Sequence, residues 1–224
     1  MDWPALALSL RLGALTILIL LPLGIAAGRL LAFHRFRGKG FTEALLALPL
    51  VLPPTVLGYY LLVAFGASSP LGQGWQALVG HPLVFSFEGL LFASVIANVP
   101  FAVQPMQRGF ESIPPEIREA AACSGLTPWR VLWLIDLPLA WPGIVTGLVL
   151  AFAHTLGEFG VVLMVGGNLP GVTRTVSIAI YDQVQGFDYA AAHQTALVLL
   201  AFSFAVLATV YALLRRPWAV PAVS

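Results

Sequence analysis

Charge is scarce in this chain: only 9% of its 224 residues are Asp, Glu, Lys or Arg, where a soluble domain carries about a quarter. Cysteine occurs once, at Cys123, which excludes an intrachain disulfide and any cysteine-based metal cluster within one copy. The formal net charge of +1 offers no basic surface for nucleic acid, and no block of like charges marks an interaction tail. Lysine also occurs once, and Lys39 is followed by Gly40. The phosphate-binding loop that ends in Gly-Lys-Ser or Gly-Lys-Thr is therefore missing, and with it that route to ATP hydrolysis. No internal repeat is visible, nor any hydrophilic stretch long enough for a second soluble domain.

What is abundant is apolar: 59% of the chain is hydrophobic. A run of roughly 18 or more such residues crosses about 30 Å of hydrocarbon as a helix. Five runs meet this test, Leu10 to Phe33, Glu43 to Phe65, Phe85 to Val103, Leu139 to Val165 and Ala191 to Leu214. The expectation is one all-α integral membrane domain over residues 1–224. The start of the chain reads as a retained span, because Met1 to Pro4 lack the positive charge of a secretion leader. The second run carries Pro49, Pro53 and Pro54, which remove backbone donors and predict a bent or broken helix. If the spans alternate, nine of the eleven basic residues collect on one side, leaving Arg11 and Arg174 on the other. The positive-inside rule then predicts an external N-terminus and a cytoplasmic C-terminus. It places residues 107–138 in the cytoplasm, and residues 66–84 and 166–190 outside.

Within the cytoplasmic connection, residues 112–138 parse as two short helices. The first runs from Pro115 to about Ser124, with Glu116 near its positive end and Gly125 as the stop. Thr127 caps the second, Pro128 opens it, and Pro138 predicts its end near Leu137. Ile117, Ala120, Ala121 and Ser124 share a small-residue face that lets another backbone approach, and Trp129, Leu132 and Trp133 form a bulkier one.

Glu119-Ala120-Ala121, then Gly125, then Ile135, Leu137 and Pro138 resemble the cytoplasmic coupling loop of importer permeases of the ATP-binding-cassette superfamily. The resemblance implies a type I importer permease fold in which the first short helix enters a groove of a separate ATPase subunit. It implies Glu119, Ala120, Ala121, Gly125, Leu137 and Pro138 as ATPase-coupling residues. The plainer reading is an amphipathic surface loop that Glu116, Arg118 and Glu119 keep wet. Three further stretches, Leu48 to Gly58, Leu156 to Gly160, and Asn168 to Tyr181 with Asp188 to Ala192, are similar to permeases of the molybdate, tungstate and sulfate importers, above all the molybdate type. That likeness implies a homodimer in the inner membrane, two ATPase subunits that hold ATP and magnesium, and a periplasmic oxyanion-binding protein. It implies no cofactor in this chain.

For the pathway, no Lys or Arg lies deep within a span, which suits weak binding and quick release. Thr55, Asn98, Gln104 and Thr146 are candidate hydroxyl and amide donors, and helix–helix hydrogen bonds are an equal alternative for each. His154 and Glu158 are the sharpest polar pair in a span, spaced i, i+4 with Gly157 and Gly160 beside them. Three roles stay open for the pair: a structural or gating hydrogen bond, pathway lining, and proton coupling. Their pattern does not match a metal site. Arg174 could attract an anion, pair with the binding protein, or be a plain surface arginine. The rival classes are an ATP-independent channel, a proton-driven transporter and an intramembrane enzyme; all three would centre on His154 and Glu158.

Overall fold

The computed structural model describes residues 2–214, so Arg215 and Arg216, part of the basic cluster used for orientation, lie outside the described residues. Helix α1 runs Trp3–Phe33; the Asp2 carboxylate caps it by accepting from the Ala5 amide at 3.0 Å, and Pro4 sits harmlessly in the first turn. The first span thus starts well before Leu10. Its buried positions recur every three or four residues from Ala5 through Leu12, Thr16 and Leu20 to Leu31, one stripe of an otherwise apolar rod.

That stripe packs on α5, Phe87–Glu111, and α8, Leu137–Gly157, around Leu20, Met106, Phe110 and Ile144. In lipid, helices gain little from hiding apolar area and associate through close contact. Here glycine supplies it: a Cβ on Gly143 would lie 2.5 Å from the Pro105 carbonyl oxygen and 2.8 Å from the Gly109 Cα. Backbone meets backbone, so no flexible side chain could yield. Helix α5 also extends past Val103, drawing Gln107 to Glu111 into the span rather than the connection.

The proline-rich second run is broken as the sequence predicts. Helices α2, Lys39–Val51, and α3, Pro54–Phe65, meet at an angle of 109°. Leu52 adopts the extended conformation that a following proline favours, and Pro53 and Pro54 bring no amide to continue α2. With this pair taken as one span, the described residues contain five segments long and apolar enough to cross a membrane.

The fourth run departs from expectation at both ends. The short helix α7, Pro128–Val131, does not stop near Leu137; it passes through a π-helical turn, Leu132–Asp136, straight into α8. In that turn the Leu137 amide bonds the Leu132 carbonyl five residues back, and the widened turn absorbs Pro138, whose missing amide would break a tighter ladder. At its other end the span breaks at Glu158 and Phe159 and resumes as α9, Gly160–Gly166. Helix α11, Tyr189–Leu214, leans on α8 and on α10, Val176–Gln185, and leaves Leu197, Leu200 and Phe204 exposed.

Both segments expected outside carry a short helix that the sequence reading left as connection. Helix α4, Pro70–Val79, has Ser69 as cap and Gly80, at φ +88°, as its left-handed stop. Helix α10 follows Thr175 and ends at Gly186.

Candidate functional site

Two polar constructions stand out from this apolar frame. At the α6 end of the bundle lies a helical hairpin formed by α6, Pro115–Cys123, and α7. Gly125, at φ +70°, ends α6 in the way the sequence indicates: its amide bonds the Ala122 carbonyl at 3.0 Å, and the Leu126 amide bonds that of Ala121 at 3.2 Å, the paired bonds of a Schellman stop. Thr127 caps α7 through the Arg130 amide. Glu119, Ala120 and Gly125 are exposed, as a docking face requires. Ala121 is not part of that face, since it is buried within the chain. Leu137 is half-buried and Pro138 exposed, both at the root of α8 rather than on α6.

The hairpin is fastened by a group absent from the candidates drawn from sequence. Asp136 is completely buried, and Arg29 of α1 donates from Nε to its Oδ2 at 2.8 Å. Arg118 of α6 places Nε 3.2 Å from Oδ1, and its guanidinium lies 3.5 Å from the centre of the Phe33 ring. The available signal was a single carboxylate at the mouth of an apolar run, between Ile135 and Leu137; an ionisable group there needs a partner.

The second construction lies at the break in the fourth span. Asn98 of α5, fully buried, donates from Nδ2 to the Ser94 carbonyl at 2.8 Å. A carbonyl only accepts, which fixes the orientation of the amide and turns Oδ1 toward His154, whose Nδ1 lies 3.0 Å away and carries the proton in this arrangement. The same Nδ2 reaches Glu158 Oε2 at 3.5 Å. His154 also stacks on Phe101 with ring centres 4.1 Å apart. Ser94, Thr155 and Thr16 continue the network into α1. Ser177 of α10 donates to the Glu158 backbone carbonyl at 2.6 Å, pinning the residue where α8 stops.

His154 and Glu158 therefore meet through Asn98 and not as an i, i+4 pair, because the helix ends at Gly157 and Glu158 is extended. The other carboxylate oxygen of Glu158, Oε1, is buried without a protein partner. Beside it opens a cavity of about 370 Å³ lined by His154, Glu158, Thr55, Pro49 and Pro54. The break in the second run and the break in the fourth thus face one another; a Cβ on Gly160 would come 2.9 Å from Pro54. Thr146 is not brought here, and its hydroxyl bonds the Pro142 carbonyl of its own helix. Gln104 lines a separate cavity near Glu43 and Gln107. At the opposite end from α6, Arg174 is already engaged: it donates to Asn168 and forms ion pairs with Asp182 and Asp2, which ties the segment before α10 to the start of α1.

Broken spans around a buried polar network, with a helical hairpin fastened at one end, are the build of a membrane transport subunit. Residues 21–218 match the model of the family described as binding-protein-dependent transport system inner membrane component. The chain belongs to that family. It is 48% identical over 94% of its length to the "Molybdenum transport system permease protein ModB" of Azotobacter vinelandii, covering 93% of that protein. It is 40% identical over 82% of its length to the ModB of Escherichia coli K12, covering 80%. To the "Sulfate transport system permease protein CysT" of the same strain it is 34% identical over 86% of this chain and 69% of that one. In fold it resembles a chain of a bacterial transporter for the import of alginate, with a TM-score of 0.78 at 17% identity over 96% of this chain and 79% of that one.

Proposed function

We propose that this chain is the permease subunit of an ATP-driven importer of molybdate. The observation that carries the reading is the near full-length likeness to the molybdenum permease of A. vinelandii, higher than the 34% identity to a sulfate permease. In this reading two copies pair around the path, and α6 of each enters a groove of its own ATPase through Glu119, Ala120 and Gly125. A periplasmic binding protein delivers the oxyanion to the α4 and α10 end, and the N-terminus lies outside. ATP binding draws the two hairpins together and opens the path outward; hydrolysis resets it. The Asn98 network holds the facing breaks as a gate, with Thr55, His154 and Glu158 at the cavity. No Lys or Arg lines that cavity, which suits passage of a dianion without retention.

The direct test is uptake of labelled molybdate by liposomes that contain the chain with its ATPase and binding protein. Uptake is expected only with ATP, blocked by unlabelled tungstate and spared by excess sulfate. Uptake without ATP would remove the coupled reading, and equal competition by sulfate would move the substrate assignment to sulfate.

Orientation and docking have a built-in reporter, because the sole cysteine, Cys123, is exposed at the end of α6. A membrane-impermeant maleimide is expected to label it in inverted vesicles and not in intact spheroplasts, with labelling slowed several-fold when the ATPase is bound. Labelling from the outer face would invert the topology.

A further inference from the structure

Helix α6 lies on the bundle without an apolar seam: among the described residues it makes few contacts with any spanning helix. A cavity of about 570 Å³ separates it from the ends of α1 and α5. Besides its chain connections to α5 and α7, a lever attached in this way transmits force through the few side chains that reach across. Arg118 is one such group, and it ends on two anchors of different stiffness. Its flat face lies 3.5 Å from the centre of Phe33 in α1, and Phe33 is braced edge-on by the fully buried Phe110 of α5. Its Nε lies 3.2 Å from Asp136 Oδ1, yet neither atom has an aligned hydrogen bond. Arg29 holds the other oxygen of Asp136 in an aligned bond of 2.8 Å.

We infer that Arg118 is a positioning residue of the transport cycle, the side-chain link through which movement of α6 reaches α1 and the Asp136 turn at the root of α8. The Arg29–Asp136 pair stays fixed as the anchor, while the looser Arg118 contact lets α6 swivel on its charge and on the Phe33 ring without letting go. A planar guanidinium suits both duties, since it stacks and pairs at once, which a compact ammonium does not. The inference rests on the reading that α6 engages the ATPase.

The test uses the whole complex in proteoliposomes, with ATP hydrolysis and molybdate uptake measured side by side for wild type, Arg118→Gln and Arg118→Lys. Arg118→Gln is expected to keep the ATPase bound through purification and to keep the thermal midpoint within a few degrees. It should still hydrolyse ATP while molybdate carried per ATP falls at least fivefold. Arg118→Lys should fall between the two, having kept the charge and lost the stack. A wild-type ratio in Arg118→Gln would overturn the inference, and so would a proportional fall of uptake and hydrolysis with loss of bound ATPase, which would mark a docking or folding role. A wild-type complex that neither holds the ATPase nor needs ATP would overturn the importer reading itself, and the inference with it.

Discussion

Asp136→Ala is expected to be the most destabilising single change at the α6 end of the bundle, on the order of 3 kcal/mol. The carboxylate is fully buried and is the shared partner of two guanidiniums. Its removal leaves Arg29 and Arg118 facing one another with no counter-charge. Breaking a buried ion pair by deleting one partner costs about 3–5 kcal/mol, because the remaining charge is stranded. The arginine side chains are 23% and 29% exposed, so water recovers part of that cost and the lower end applies. The measurement is unfolding of the purified chain in detergent, with the triple variant Asp136→Leu/Arg29→Met/Arg118→Met beside it. The triple variant removes the whole triad and should recover much of the loss, since apolar replacement of a complete buried ionic group is often neutral. An unchanged midpoint in Asp136→Ala would show that the triad contributes nothing to stability.

The same carboxylate marks where sequence reasoning stops. Features set by neighbours in the chain were legible. Pro53 and Pro54 announced a break, Thr127 and Pro128 a helix start, and Gly125 a left-handed stop, and each stands where expected. Pro138 misled because a proline ends a helix only if the turn around it stays tight. The widened turn at Leu132–Asp136 absorbs it and leaves Asp136 pointing at Arg29, a residue 107 positions away. No local pattern carries that information. The break at Glu158 was equally hidden, for no proline marks it, and it is held by Ser177 of α10 and Asn98 of α5. Reading His154 and Glu158 as one helical turn apart was sound for an unbroken span. Asn98 was named as a candidate, but nothing in its own surroundings shows that it is the hub. The segment around Arg174 is a related case: of its two acidic partners, Asp182 lies on the following helix α10, but Asp2 lies at the far end of the sequence.

The hub is the place for the second large effect. Asn98→Leu is expected to lower molybdate uptake by at least tenfold while the chain still inserts and assembles. Leucine has the same number and branching of side-chain heavy atoms as asparagine, so the shape presented by α5 is largely kept and the loss falls mainly on hydrogen bonding. Asn98 is the side chain that touches both His154 and Glu158. Without it the His154 Nδ1 proton and the buried Glu158 carboxyl lose a shared partner. An orphaned buried polar group costs about 1–3 kcal/mol, and more if charged, enough to shift a two-state gate by tenfold or beyond, since each 1.4 kcal/mol is a factor of ten. Glu158→Gln separates the two explanations of that loss. The glutamine oxygen still accepts from Asn98 Nδ2, and its backbone carbonyl still accepts from Ser177, so the junction between α8 and α9 stays joined although the ionisable carboxyl is gone. Uptake within about a factor of three of wild type is the expected result, because the network works by holding α5 to the break in the fourth span and not by carrying a proton. Abolished uptake in Glu158→Gln, with Asn98→Leu unimpaired, would reverse that assignment and make the carboxylate itself the working group.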